Sequence, residues 1–383
     1  MDETTGLRAI GLMSGTSMDG IDVALLDTDG IHPPTRGPAR TYPYEAPFRR
    51  RLEAAMEMAK RIVSRGERPG DLAGIEREIT DRHADAVRQF LADTGIDAAT
   101  IDVVGFHGQT VLHRPGEGLT VQLGDGPRLA EALQCKVVYD MRAADMVAGG
   151  QGAPLVPAYH AALAAALPED MRDTPVVFVN IGGISNITYL DGDNDPIAFD
   201  TGPGNALLDQ WVSREAGIAF DQNGAIASEG GIILSLSEAY LAAPFFAKPI
   251  PKSLDRFDFL PPSPDAGSLE DVARTLCLVA ARSILMAATH LPRAPKLWVV
   301  CGGGRRHPAI MQDLARGALE QGARVVSAEE AGLDGDAMEA EAWGFLAVRS
   351  LRGLPLTWPT TTGCRTPSLG GLLADGTGAG KHV

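Results

Sequence analysis

The sequence predicts an α/β protein built as two similar lobes, and three observations lead there. At 383 residues the chain passes the size at which a single hydrophobic core keeps growing, so it should divide. A strand–turn–strand unit with small residues at its bend opens the chain and returns at 175–190. Around these two units, short apolar runs alternate with stretches of helical spacing. A repeat this distant points to duplicated lobes rather than to a short-period solenoid.

The elements follow in order. Residues 9–13 form an apolar run suited to a buried strand, 14–20 a turn of Gly, Ser and Thr, and 21–25 a strand alternating at period two. Asp19-Gly20 is itself a hairpin signal. The Pro-rich stretch 31–47 reads as irregular chain or an edge strand, and 46–64 and 71–94 carry helical spacing. Residues 101–106 make a strand ending in a turn, His107-Gly108-Gln109-Thr110, and 136–139 another, ending at Asp140. Gly149-Gly150-Gln151-Gly152-Ala153-Pro154 breaks the chain before a helix near 157–167. The opening pattern then returns as a strand at 175–180, a Gly182-Gly183 turn and a strand at 184–190. Helices are expected near 204–215, 233–242, 268–290, 308–321 and 336–351, with a loop-rich insertion at 244–264 and a strand at 296–301. The expected lobes are 1–168 and 169–351, with the Gly/Pro/Thr-rich tail 352–383 packing back on the first.

Composition narrows the function. The net charge of −15 disfavours a nucleic-acid partner, because an acidic surface repels a polyphosphate, although a small donor-rich nucleotide site remains compatible with it. The four cysteines are widely spaced and match no metal pattern, which suggests buried thiols. The N-terminus lacks a basic stretch before an apolar one, and no run is apolar enough to read as a membrane span, so a cytoplasmic protein is expected. Monomer and homodimer are both compatible with the sequence.

Several motifs can carry chemistry. In Gly15-Thr16-Ser17-Met18-Asp19-Gly20, glycines let backbone N–H groups crowd an anion and two hydroxyls add donors, so the turn is either a phosphate cradle or a plain hairpin. It is not a Walker A loop, since the Gly-Lys-Ser/Thr ending is missing. Asp19 and Asp22 can orient metal-bound waters or cap the turn. Asn180-Ile181-Gly182-Gly183 repeats the geometry, and two facing hairpins could clasp a triphosphate. Gly302-Gly303-Gly304 leaves room for a base or ribose; a dinucleotide fingerprint fails because its sixth position is His307. In Phe199-Asp200-Thr201-Gly202-Pro203-Gly204-Asn205, a carboxylate at a strand end precedes a helix, the place for an active-site base or for a helix cap. His107 and Gln109 can bind sugar hydroxyls or be satisfied by backbone. Arg142, between Asp140 and Asp145, can clamp a carboxylate or pair with those neighbours. Glu339 can face a cleft or solvent. No metal site is signalled among the histidines.

Taken together, the run 10–22, His107 to Thr110, Gly149 to Leu155, Asn180 to Asn186, Phe199 to Asn205, Cys301 to Gly304 and Glu339-Ala340 resemble, in order and over nearly the whole chain, the anhydro-N-acetylmuramic acid kinases. The resemblance implies lobes of the actin/hexokinase (ribonuclease H-like) type with a nucleotide cleft between them. It implies ATP with Mg²⁺ held by Gly15, Thr16, Ser17, Met18, Asp19, Gly20, Ile21 and Asp22, and by Gly182, Gly183, Gly302, Gly303 and Gly304. It further implies Asp200 as catalytic base and an anhydro amino sugar against His107, Gln109, Arg142 and Glu339. That family commonly has Asn where this chain has His307. Rival readings are a glycoside hydrolase using Asp200 and Glu339, a chaperone-type ATPase, and a kinase of another anhydro sugar such as levoglucosan.

Overall fold

The computed structural model describes residues 6–15, 18–172, 175–254, 258–376 and 381–382. The chain forms two compact units, one of Met1–Ala166 with Ala337–Val383 and one of Leu167–Asp336.

In the first unit, β1 (Leu7–Ser14), β2 (Gly20–Thr28), β3 (Thr35–Pro43), β4 (Val103–Arg114), β5 (Leu119–Leu123) and β6 (Lys136–Tyr139) form one sheet, in the order β3-β2-β1-β4-β6 with β5 on β4. The first three strands pair antiparallel, while β1–β4 and β4–β6 are parallel. The Pro-rich stretch thus yields an edge strand. The short strand Leu372–Ala374 adds antiparallel to β6.

One face of this sheet is covered by the helices Ala46–Ala59 and Leu72–Thr94. Phe48, Leu52, Ala55 and Ala59 recur at helical spacing and pack with Ile75, Ile79, Phe90, Ile10, Leu12, Val104 and Phe106 in one cluster. Each large side chain so buried contributes on the order of 1.5–3 kcal/mol.

The opposite face is a shelf of small residues. Gly11 lies in register with Ala24 on one side and Gly105 on the other, and Gly105 with Val138. The helix Met338–Leu351 rests on it. A Cβ at Gly11 would lie 1.8 Å from the Ala340 carbonyl oxygen, and one at Gly105 would lie 2.0 Å from that of Trp343. This corrects the expected second lobe, 169–351: the helix at its end belongs to the first unit, because only backbone meeting backbone fits there.

A second correction concerns residues 107–110, expected as a turn. They lie inside β4, which bends at Gly108 (φ +72) and from Gln109 onward pairs antiparallel with β5. Strand β5, whose Leu119, Val121 and Leu123 are buried, and the helix Gly126–Leu133 had no counterpart in the expected elements.

The second unit holds β7 (Val176–Ile181), β8 (Ile184–Leu190), β9 (Ile197–Pro203), β10 (Leu297–Cys301) and β11 (Arg324–Ser327), in the order β9-β8-β7-β10-β11. Again the first three pair antiparallel and the last two join in parallel. Strand order and direction repeat those of the first unit, the ribonuclease H-like arrangement in duplicate. Its core is centred on the helix Leu269–Met286, with Val272, Leu276, Val279 and Ile284 buried. Contrary to the sequence expectation, the segment Leu269–His290 is long and apolar enough to cross a membrane, and 72% of its most apolar 18-residue window is buried, as in a core helix. Cys277, Cys301 and Cys364 are buried, and Cys135 is half-buried.

Candidate active site

In the first unit, the turn between β1 and β2 carries the first glycine motif; Thr16 and Ser17 lie outside the described residues. Met18 adopts a left-handed backbone (φ 54), and its N–H donates to the Gly15 carbonyl at 3.1 Å. Gly20 allows β3 to approach, since a Cβ there would lie 2.6 Å from the Tyr42 oxygen. The Asp19 carbonyl accepts the Tyr44 N–H at 2.9 Å. Ile21 is 2% exposed and points into the core, so its side chain packs rather than binds. Asp22 accepts the Thr41 hydroxyl at 2.6 Å.

Gln109 is fully buried and belongs to this turn. Its Oε1 accepts the Ser14 hydroxyl at 2.6 Å, its Nε2 donates to the Gly15 carbonyl at 3.1 Å, and Ser14 Oγ lies 2.9 Å from the Tyr44 hydroxyl. The expected sugar contact is thereby revised: the side chain ties β4 to the first hairpin.

His107 and Arg142 form one group. Arg142 Nε and Nη2 both donate to His107 Nε2, at 3.3 and 3.2 Å, and Nη1 donates to the Gly152 carbonyl at 2.8 Å. A guanidinium only donates, so His107 Nε2 carries the lone pair and Nδ1 the proton. Burial pushes the imidazole pKa well down, aided by the Arg142 charge, and keeps it neutral. Trp343 backs both residues, its ring centroid 4.5 Å from that of His107 and 5.2 Å from the Arg142 guanidinium carbon. Burial lowers the Arg142 pKa to about 10, while Glu339 and Asp145 act against the shift. Glu339 is exposed at the start of the helix Met338–Leu351, close enough to influence Arg142. Beside His107 opens a polar cavity of about 240 Å³, lined by Arg65, Arg68, Gln122, Tyr139 and Asp140.

In the second unit, Asp200 lies within β9, not at a strand end, and it does not cap the following helix Ala206–Ala216, whose N-cap is Asn205. Its N–H donates to the Lys252 carbonyl at 2.9 Å and its Oδ2 accepts the Leu254 N–H at 2.8 Å, so residues 252–254 strap the carboxylate in place. Burial raises its pKa to about 6, with the Leu254 N–H pulling the other way.

Just past the end of β9 three glycine segments converge. Gly204 N–H donates to the Gly183 carbonyl at 2.9 Å and Asn205 N–H to that of Gly182 at 2.7 Å. A Cβ at Gly302 (φ +77) would lie 2.2 Å from Asn180 Oδ1, and one at Gly304 would lie 2.2 Å from Ile181 Cγ2 and 2.9 Å from Asn205 Oδ1. Gly303 has the Asn205 amide nitrogen 3.8 Å from such a position. Gly182, Gly183 and Gly302 to Gly304 thus meet around Asn180 and Asn205. Asn205 and the strap 252–254 were not singled out from the sequence, although Asn205 ends the motif that holds Asp200. His307 turns inward, its Nε2 3.3 Å from Asp221 Oδ2 and its ring against Cys277. The two carboxylates of the hydrolase reading, Asp200 and Glu339, lie on different units. Among the described residues no three His, Cys, Asp or Glu side chains cluster as a metal site.

Comparison with known proteins agrees along the chain. The family described as anhydro-N-acetylmuramic acid kinase matches residues 7–375. Proteins named anhydro-N-acetylmuramic acid kinase from Agrobacterium fabrum and Rhizobium etli are each 57% identical, over 95% and 96% of this chain and 98% of each relative. Among solved structures, the activator of the 2-hydroxyisocaproyl-CoA dehydratase from Clostridium difficile with bound ADPNP aligns over 91% of this chain and 96% of its own, at 11% identity and a TM-score of 0.44.

Proposed function

Because the chain belongs to the anhydro-N-acetylmuramic acid kinase family, we propose that it uses ATP to open 1,6-anhydro-N-acetylmuramic acid with water and yield N-acetylmuramic acid 6-phosphate, a cytoplasmic step of peptidoglycan recycling. The observation that carries the mechanism is Asp200, strapped in β9 with its pKa raised to about 6. Such a carboxylate is still ionised at neutral pH, yet it is a stronger base than an ordinary aspartate.

In this reading Asp200 takes a proton from a water that attacks the anomeric carbon on the face away from the bridging oxygen. The carbon–oxygen bond of the bridge breaks, and the freed oxygen attacks the γ-phosphorus of ATP as ADP leaves. That oxygen needs no base of its own, and the anomeric centre inverts. The remaining work is positioning and charge stabilisation. The glycine turns at 15–20, 182–183 and 302–304 offer backbone donors and room for the nucleotide, while His107, Arg142 and Glu339 hold the sugar. Asp19 and Asp22 suit Mg²⁺, which usually takes one or two carboxylates beside phosphate oxygens and, when bound, spreads the charge of the transferring group.

The test is incubation with Mg-ATP and 1,6-anhydro-N-acetylmuramic acid in ¹⁸O-water. The expected product is a 6-phosphosugar carrying one label at the anomeric position. Ring opening without ATP would replace this reading by a glycoside hydrolase, and equal turnover of levoglucosan would shift the substrate assignment.

A further inference from the structure

The motif Gly149-Gly150-Gln151-Gly152-Ala153-Pro154 takes no part in the chemistry above, yet its glycines wrap a single carboxylate. Asp145 is 2% exposed. Its Oδ2 accepts the Gly152 N–H at 2.6 Å, and its backbone carbonyl accepts the Gly150 N–H at 2.9 Å. A Cβ at Gly150 would lie 2.2 Å from that Oδ2, and Gly152 sits at φ +72, so both positions require glycine.

The other carboxylate oxygen is held by the C-terminal tail. Oδ1 accepts the Thr357 hydroxyl at 2.5 Å and the Thr362 hydroxyl at 2.7 Å, and these threonines are 1% and 0% exposed. Backbone bonds follow the same seam, from Gln151 N–H to the Thr362 carbonyl at 2.9 Å and from Arg365 N–H to the Ala148 carbonyl at 3.0 Å. On its other side Gly152 turns its carbonyl to Arg142 Nη1 at 2.8 Å. The line therefore runs from tail hydroxyls to Asp145, to Gly152, to Arg142.

A buried carboxylate is costly unless every acceptor is used, and apolar residues would fill the same space without that cost. Charge-assisted bonds give what apolar packing does not, a fixed direction. We propose that Asp145 is a positioning residue that aims Arg142 at the sugar through Gly152, with Thr357 and Thr362 as its clamp. The proposal rests on the reading that Arg142 meets the sugar.

The experiment is a double-mutant cycle on the full chain, using wild type, Thr362→Val, Arg142→Lys and the double variant. Calorimetry measures the affinity of each for 1,6-anhydro-N-acetylmuramic acid and for a non-hydrolysable ATP analogue. Thr362→Val keeps the side-chain shape and removes one donor to the buried carboxylate. It is expected to weaken sugar binding about tenfold and leave the analogue within about twofold, while Thr362→Ser restores the sugar affinity. In the Arg142→Lys background the same change is expected to cost less than about threefold, because a lysine cannot reproduce the guanidinium fork. Equal losses in both backgrounds, or a matching loss of nucleotide affinity, would overturn the clamp. Thr357→Val serves as a second variant and should repeat the pattern. If the wild type binds no anhydro sugar, the functional reading falls and the clamp with it. If the wild type binds and Thr362→Val is unmoved, the clamp alone falls.

Discussion

The two sheets share strand order and direction but fill one face of their central strands by opposite means. In the first, Gly11 and Gly105 sit side by side and let the backbone of the helix Met338–Leu351 lie directly on the sheet. In the second, the alternate residues Phe178 and Val299 of the matching strands carry bulk and are buried, while Val177, Val179, Trp298 and Val300 enter the core with the helix Leu269–Met286 much as Ile10, Leu12, Val104 and Phe106 enter that of the first unit. One topology thus tolerates a shelf of glycines or a layer of side chains, provided the covering helix matches in depth. The functional groups differ in the same direction. Arg142 is bonded to His107 and to the Gly152 carbonyl, whereas the Asp200 carboxylate accepts the Leu254 N–H and has a pKa raised by burial. A guanidinium is aimed by the acceptors it holds, and a carboxylate base gains strength from burial.

The sharpest way to break this comparison is Asp200→Asn. Turnover should fall at least about 10²-fold, roughly 3–5 kcal/mol of barrier, with affinity for an ATP analogue unchanged. Near-normal turnover would remove Asp200 from the chemistry. In the wild type, kcat/KM should fall as pH drops below about 6, where the base becomes protonated. The stability effect has the opposite sign. The pKa is higher in the fold than the ordinary 3.8, so ionisation opposes folding, a penalty absent below about pH 4 and complete above about pH 6. Asp200→Asn should therefore be more stable than the wild type at pH 8, by up to about 3 kcal/mol, and no more stable near pH 3. Urea unfolding at the two pH values reads the difference.

Gly11→Ala comes next. The added carbon meets helix backbone rather than a flexible side-chain tip, so a loss of about 3 kcal/mol is expected in urea unfolding. Val179→Ala in the second sheet would instead leave a cavity, costing about 2–3 kcal/mol. A neutral result for Gly11→Ala would mean that the helix is free to lift. A smaller effect is expected from Gln109→Leu, which unhooks the first hairpin from β4: KM for ATP should rise about tenfold, with sugar affinity held within about twofold. Sugar affinity falling instead would return Gln109 to the sugar side. The smallest change is Arg128→Ala, which opens an exposed pair with Asp81 and should leave the urea midpoint essentially unmoved.

Much of this was legible because it is local. Apolar runs with period-two alternation announced β1, β2, β7 and β8, and helical spacing announced the helices Leu72–Thr94 and Leu269–Met286. The turn Gly15 to Gly20 and the motif around Asp200 were visible as runs of small residues next to a carboxylate. Other features escaped because no neighbour in sequence reports them. The bend at Gly108 reads as a turn until β5 arrives to extend the pairing. Gln109 reads as a free polar side chain until Ser14 and the Gly15 carbonyl close around it, and the strap 252–254 lay in a stretch that looked like loop.

By itself, then, the order of residues determined the duplicated strand pattern, the acidic surface, the glycine-cornered bends and the candidacy of Asp200, all of which depend on spacing and residue type within a few positions. Tertiary structure alone decided that the helix Met338–Leu351 joins the first sheet, that Gln109 serves the first hairpin, and that Asp200 becomes a stronger base. The reason is that close packing, hydrogen-bond partners and desolvation are set by segments distant in the chain, such as Gly11 with Ala340 or Asp200 with Leu254, and spacing along the sequence carries no measure of them.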